Sequence, residues 1–439
     1  MQSLWRNTVT LPTYPPLTQN TAADTLVIGG GLAGLLCAWS LHRAGADVLL
    51  LEADRLCGGT TGNTTAKITA QHGLLYDRLL RTCGPETARR YLQANQHALE
   101  RYRTLCRDLD CDFETADSFV YTLEDRDALE RETEALQKLG APAELVSNLP
   151  LPISAAGAVR LPDQAQVHPL KLARALLEGL RIHEMTRVLK IRPGEAQTSG
   201  GTVRAEHIVV ATHFPMMNAH GAYFLKLYQA RSYVLALRGV PALERMRGMY
   251  VDGKAGGLSF RRWGDLLLLG GGGHRTGKQG GGWAGLERFA LEHWPQAGTA
   301  GRWAAQDCMT LDGIPYIGRY SGSTPGLFVA TGFNKWGMTS SMAAAELLTD
   351  LVLGRESPYE SLFSPSRGML RPQLAVNGWE AVTNLVTPTV PRCPHMGCAL
   401  KYNRREGTWD CPCHGSRFEA DGGELLEGPA QKGIRCRTK

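Results

Sequence analysis

The sequence predicts a mixed α/β chain: a doubly wound nucleotide-binding unit, an antiparallel-sheet region, and a small all-β module at the C-terminal end. Three observations carry this. A glycine-rich turn sits between a buried strand and a helix near the N-terminus. Apolar and polar residues alternate through the middle. Four of the 11 cysteines crowd into residues 393–413.

The chain has 439 residues with a formal net charge of +6. At about 150 residues per domain, two or three domains are expected. A hydrophobic content of 43% and a charged content of 21% exclude a disordered, coiled-coil or fibrous chain. The charge is mild and no basic stripe is interleaved with aromatics, which excludes a nucleic-acid partner. The basic stretch 431–439 reads as a solvated tail. No apolar run reaches spanning length and the N-terminus has no apolar signal core. These features predict no membrane span and a cytoplasmic address.

Residues 25–28 (TLVI) read as a buried strand. The turn Gly29-Gly30-Gly31-Leu32-Ala33-Gly34 follows, then a helix stopped by Gly45, then a second strand at 47–51 ending before Glu52. Gly29 permits the tight turn, Gly31 lets backbone approach a pyrophosphate, and Gly34 lets helix and strand pack closely. Unpaired N–H groups at the helix start attract phosphate. Glu52 is placed to accept from a ribose hydroxyl. Glycines, flanking strands and carboxylate together predict dinucleotide binding.

The threonine-rich segment 57–73 reads as a loop beside a cofactor. Residues 85–139 carry helical spacing, as in Leu129, Glu132 and Leu136. Residues 187–191 (RVLKI) and 207–212 (HIVVAT) read as paired strands, and His213 after them as a structural histidine. Alternation from 228 to 273 predicts antiparallel strands. The glycine run 270–273 lacks the dinucleotide spacing, so no second nucleotide unit is expected. Residues 327–354 read as a strand, a glycine turn holding Asn334, Lys335 and Trp336, and a helix from about Thr339.

At the C-terminal end, Cys393-Pro-His395-Met-Gly-Cys398 is followed by Cys411-Pro-Cys413-His414-Gly-Ser416. Cys-x-His, a gap of 15 residues, then Cys-x-x-His is the pattern of a Rieske [2Fe–2S] cluster, with thiolates on one iron and imidazoles on the other. A two-Cys, two-His zinc site is the alternative, and the fuller match favours the cluster.

The opening unit, the threonine-rich segment and the closing strand–turn–helix resemble FAD-dependent oxidoreductases of the D-amino-acid oxidase, glycine oxidase and sarcosine oxidase superfamily. The C-terminal motif resembles Rieske proteins, and the two resemblances cover nearly the whole chain. They imply FAD bound at Gly29, Gly31, Gly34, Glu52 and Val188, with Thr60, Thr61, Thr65, Lys67, Gly337 and Met338 on the flavin side. They imply a substrate carboxylate gripped bidentately by an arginine, for which Arg231, Arg261 and Arg262 are the candidates. No catalytic base is assigned. Cys308 is similar to the cysteine that carries flavin covalently in sarcosine oxidases, although its spacing to Asp312 departs from that pattern. The Rieske resemblance implies cluster ligands Cys393, His395, Cys411 and His414, a Cys398–Cys413 disulfide, and a hydrogen bond from Ser416 to a cluster sulfur.

The expected division is an FAD oxidoreductase domain at 1–355, a linker at 356–372, and a short Rieske domain at 373–439. Within the first, about 22–80, 150–220 and 300–354 bind FAD, and about 81–149 and 221–299 form the substrate and cap parts. Only about 20 residues precede Cys393 in the last domain. So small a core is marginal alone, which predicts docking onto the first domain. There is no room for a His-His-carboxylate iron site, so a self-contained oxygenase is excluded. The implied activity is oxidation of a small amine or amino-acid-like donor, with electrons passed singly through the cluster to an external acceptor. Flow in the opposite direction, and an electron carrier or redox sensor without a substrate, stay open at this point.

Overall fold

The computed structural model describes residues 2–217, 220–278, 280–388 and 391–434. Cys436 and most of the basic tail lie outside the described residues.

The strand Thr21–Ile28 lies between Val48–Leu51 and Thr202–Val210, parallel to both. Arg181–His183 extends one edge of this sheet. Leu327–Thr331 and then antiparallel Tyr316–Arg319 extend the other. Val27, Leu50 and Val209 enter one core, while Leu26, Ile28, Leu49, Leu51, Ile208 and Val210 enter another. Burial on both faces explains why these strands read as unbroken apolar runs. The helices Leu32–Arg43 and Gly337–Val352 pack together on the first face. The strands expected to pair directly do not. Glu195–Thr198 stands between Val188–Arg192 and Thr202–Val210 and pairs with both.

A second sheet runs in the order Gly298–Met309, Tyr228–Arg238, Leu266–Arg275, Ser259–Trp263, Met249–Asp252, Glu114–Thr122, Gly157–Gln166 and Lys67–Ile68, with Glu144–Val146 beside Gly157–Gln166. It is antiparallel except where Met249–Asp252 meets Glu114–Thr122. Three of its strands, Lys67–Ile68, Gly157–Gln166 and Gly298–Met309, come from stretches that the sequence reading gives to the FAD-binding part. The region 85–139 holds two helices, Pro85–Cys106 and Arg126–Lys138, separated by the strand Glu114–Thr122. Buried Glu132 has a clear job: its carboxylate accepts from the N–H groups of Leu75, Tyr76 and Asp77 at 2.8–3.0 Å. It thereby caps the Tyr76–Cys83 helix.

Residues 356–372 are anchored, unlike a free linker. Leu362 and Phe363 are buried in the short helix Glu360–Phe363. Arg367 pairs with Asp312 at 2.8 Å and lies 3.9 Å from the Tyr316 ring centroid. The helix Pro372–Val386 follows, which the sequence reading did not anticipate. It buries the polar residues Asn377, Glu380 and Asn384 and exposes Trp379, Val382 and Val386. The chain ends in a meander of four short strands around Leu400, Phe418, Ala430 and four cysteines. No helix among the described residues is long and apolar enough to cross a membrane.

Candidate active site and metal centre

A cavity of about 620 Å³ opens where the parallel strands end, the position at which doubly wound sheets bind ligands. Gly29 follows the first strand, Glu52 the second, Ala211 the third and Gly332 the fourth, and all four residues line the cavity. Gly29 has φ 112°, and a Cβ there would stand 2.5 Å from the Ala211 carbonyl oxygen. Gly31 lines the cavity, and a Cβ added there would meet Thr61 Oγ1 at 3.4 Å, an ordinary contact distance. Gly34 does not line the cavity. It packs on the first strand, where an added Cβ would overlap the Gly29 carbonyl oxygen.

Glu52 accepts from the Gly30 N–H at 2.6 Å and the Asp54 N–H at 2.9 Å, so it braces the glycine turn as well as facing the cavity. Burial pushes its carboxyl up. Val188 lines the same end, together with Arg55 and Arg187, two cations that the sequence reading missed. Thr60, Thr61, Gly337 and Met338 line the same cavity. Thr61 Oγ1 accepts from the Leu32 N–H at 2.9 Å. The 16-residue helix Gly337–Val352 starts at the cavity, where its positive end favours developing negative charge. Just before it, Asn334 and Lys335 are left-handed at φ 52° and 72°, a conformation uncommon for such residues. The Asn334 side chain holds this turn, accepting from the Thr310 N–H at 2.8 Å and donating to the Gly332 carbonyl at 2.7 Å. Lys335 is exposed on the cavity wall.

Thr65 and Lys67 do not reach the cavity, because the loop turns away after Thr64 to join the second sheet. The Lys67 ammonium donates to Thr65 Oγ1 at 3.1 Å. Burial, then the charge of Arg261, bring its pKa down to about 7. An N-terminal turn pins this loop. Trp5 Nε1 donates to the Thr64 carbonyl at 2.7 Å, and Arg6 donates to the carbonyls of Cys57 and Gly58.

None of the three arginines expected to clamp a carboxylate lines the cavity. Arg261 is fully buried between Trp5 and Trp263. It donates to Gln166 Oε1 at 2.6 Å and to the carbonyls of Thr65 and Val167, so its donors are spent on holding loops. Arg262 lies 4.0 Å from Glu114. Arg231 points the other way, into the C-terminal module. His213 lines the cavity at φ 65° and its Nε2 is 2.9 Å from Gln229 Oε1. Cys308 also lines it. Burial pushes its thiol up to about 12, and a protonated thiol is a poor nucleophile.

The two metal loops repeat one device, Cys-Pro-x-x-Gly. In each, the glycine N–H donates to the cysteine carbonyl at 2.9 Å, Gly397 to Cys393 and Gly415 to Cys411. Both glycines are left-handed, at φ 78° and 77°, which glycine adopts without strain. His395 Nδ1 and His414 Nδ1 stand 3.2 Å apart, converging on one point. The sulfurs of Cys398, Cys411 and Cys413 lie within 4.8 Å of one another. The neighbouring Cys411 thiol, then burial, push the Cys393 thiol up. Two paired imidazole nitrogens beside crowded thiols fit a Rieske cluster, which needs the thiols ionised. Cys398 and Cys413 are free thiols here, so the expected disulfide is not formed in this structure. Ser416 is fully buried, and its Oγ accepts from the Ala430 N–H at 3.2 Å.

The module docks as its small core predicts, with the cluster loops turned toward the cavity. His414 Nε2 lies 3.0 Å from the Phe224 carbonyl. That contact makes Nε2 the protonated nitrogen and leaves Nδ1 free to ligate. The Phe214 ring lines the cavity and meets both imidazoles edge-on, at 6.0 Å from His395 and 5.6 Å from His414. Gln306 Nε2 donates to the Gly415 carbonyl at 2.9 Å, and the Gln306 carbonyl accepts from Thr60 Oγ1 at 2.8 Å. Arg231, with a side chain only 6% exposed, pairs with Glu406 at 2.5 Å and Glu427 at 3.4 Å. Arg275 donates to the Pro412 carbonyl and Asn377 Oδ1. Local sequence patterns carried no signal for Phe214, Gln306 or this buried ion network.

The comparisons with known proteins agree with this geometry. The family model described as FAD dependent oxidoreductase matches residues 24–351, and that of the Rieske [2Fe-2S] domain matches residues 381–438. A Bacillus subtilis protein, YhfW, named for a Rieske 2Fe-2S iron-sulfur centre, is 35% identical over 99% of this chain and 97% of its own length. The Escherichia coli gamma-glutamylputrescine oxidoreductase is 28% identical over 45% of this chain and 50% of that protein. Among solved structures, glycine oxidase from Geobacillus kaustophilus superposes with a TM-score of 0.66 at 23% identity. The match covers 79% of this chain and 99% of that one, and it shows the shared fold. The protein's cofactors are FAD and a [2Fe–2S] cluster. The chain therefore belongs to the FAD-dependent oxidoreductase family of the D-amino-acid oxidase type and carries a C-terminal Rieske domain.

Proposed function

We propose that this oxidoreductase is a dehydrogenase for a small amine or amino-acid-like donor, and that its electrons leave singly through the Rieske cluster to an external one-electron acceptor. FAD supplies a two-electron hydride acceptor when bound, and the cluster a one-electron relay. The donor's C–H bond next to nitrogen would break as hydride, leaving an iminium ion that releases a nitrogen proton to give the imine. Two equivalents of acceptor are then reduced.

The observation that carries this reading is the shared wall between the two sites. Phe214 lines the cavity and packs on both histidines. Gln306 joins Thr60 of the cavity to Gly415 of the cluster loop. A cluster held this close to the flavin site serves electron exchange with it. The names of the glycine oxidase and gamma-glutamylputrescine oxidoreductase relatives support a nitrogen-bearing donor. With the three arginines committed elsewhere, Lys335 is the cation on the flavin-side wall for an anionic group of the donor. We further assign Glu52 and Val188 to the adenosine end. Cys398 and Cys413 form a disulfide in the cluster-loaded protein in this reading. The six described cysteines outside the cluster loops are free thiols, which suits a cytoplasmic setting.

The test is anaerobic. Protein carrying both cofactors is mixed with a panel of amines, amino acids and N-methyl amino acids. Flavin absorbance is followed in the visible and the cluster by low-temperature EPR. Bleaching followed by a Rieske signal is expected for one donor class. If no donor bleaches the flavin while dithionite reduces both centres, the dehydrogenase reading is wrong, and electrons enter from an outside reductant.

A further inference from the structure

Residues 425–431 belong to the C-terminal module but also line the cavity. They continue from the last strand of the meander, Leu425–Glu427, into the wall of the same cavity that opens on Gly29, Glu52 and Gly337. The same segment also lies on the cluster loop. Gly428 has φ 110°, and a Cβ there would stand 2.5 Å from the Ser416 Cα. The Ala430 N–H donates to Ser416 Oγ at 3.2 Å. One face of this short segment therefore touches the metal loop and the other borders the flavin cavity. Its apolar members include Leu425, Leu426, Pro429 and Ala430. Leu426 is 48% exposed at the cavity, a large apolar side chain only half covered by protein.

The segment is held by charge as well as by packing. Glu427 lies 3.4 Å from Arg231 and 3.7 Å from Arg417, and Arg231 lies 2.5 Å from Glu406. Arg231 and Arg417 are almost fully buried. The rest of the cavity wall comes from residues N-terminal to the module.

We propose that residues 425–431 are part of the flavin site. FAD is then enclosed between the two modules and leaves only when the C-terminal module lifts away from the Arg231 network. Pro429 fixes one φ of the segment in advance, which lowers the ordering cost of holding it against the ligand. This inference rests on the cavity being the FAD site. It does not depend on the donor or on the direction of electron flow.

The test is hydrogen exchange read by mass spectrometry on the full chain with its cluster in place, first stripped of FAD and then reloaded. Amides in 29–34 and in 425–431 are both expected to slow at least fivefold on reloading. Protection of 29–34 with 425–431 unchanged would overturn the proposal. Exchange unchanged in both segments would show that the cavity is not the FAD site, and would remove the proposal with it. A second measurement uses Arg231→Gln, outside the cavity. FAD release, followed by recovery of flavin fluorescence on dilution, is expected to be at least tenfold faster, with the cluster's visible circular dichroism intact. Release at the wild-type rate with the cluster intact would also overturn it.

Discussion

The role of Arg231 can be decided by one substitution, Arg231→Met. The sequence offers this guanidinium as a substrate clamp, whereas the structure buries it against Glu406 and Glu427 of the C-terminal module. Removing one partner of a buried ion pair costs about 3–5 kcal/mol, because the remaining charge is stranded out of water. Glu406 is not wholly stranded here. It keeps Arg417 at 2.9 Å and the Tyr233 hydroxyl at 2.9 Å. The lower end of the range applies, so the module should lose about 3 kcal/mol of docking stability, a factor of about 100 in the docked population. The assay is denaturant titration followed by the cluster's visible circular dichroism, which reports the module alone. A double-mutant cycle with Glu406→Gln should show a coupling energy of about 2 kcal/mol, near the top of the range for contacting groups. If Arg231→Met leaves the module's stability unchanged and instead raises the donor KM tenfold, the guanidinium is a substrate ligand and the docking argument fails.

Three further outcomes are expected. Gly34→Ala drives a methyl into the Gly29 carbonyl. Overpacking of this kind costs about 1–3 kcal/mol, and the purified protein should lack the flavin absorbance that wild type shows. His72 is buried beside Trp336, and burial brings its pKa down to about 3. The unfolded chain takes up this proton below about 6.5, so stability present above that pH is lost as pH falls toward 3. Between pH 7 and 5 the loss through this group is about 2 kcal/mol at 1.36 kcal/mol per unit. Urea titrations at the two pH values should show a smaller difference in His72→Gln, and an equal slope in both proteins would contradict the assignment. Lys335→Met should raise the KM of an anionic donor about tenfold to hundredfold, the range of a charge-assisted hydrogen bond, with kcat largely kept. An unchanged KM would show that this cation does not meet the donor.

The glycine turn, its flanking strands and Glu52 were legible in the sequence because each depends on a local rule. A strand must end, the backbone must turn left-handed at Gly29, and the helix must approach closely at Gly34. The cluster motif was legible for the same reason: Cys-Pro-x-x-Gly makes its own turn, so ligand spacing and loop geometry are one fact. The anchoring of the stretch 356–372 was not legible, because its prolines and serines look mobile until Arg367 is seen to reach Asp312 and Tyr316. The helix Pro372–Val386 hides an unusual pattern, with polar residues facing in and apolar ones facing out.

The sequence by itself determined the chemistry: a dinucleotide turn, a two-cysteine, two-histidine metal pair, and the order of elements around them. Only the tertiary structure decided the partners. A guanidinium reads the same whether its carboxylate belongs to a substrate or to Glu406, since its charge and donors are identical in both cases. A short strand such as Lys67–Ile68 joins whichever sheet edge is left unpaired. Phe214, Gln306 and residues 425–431 acquire their roles because two distant segments close on one another, and pairings across hundreds of residues leave no periodicity along the chain.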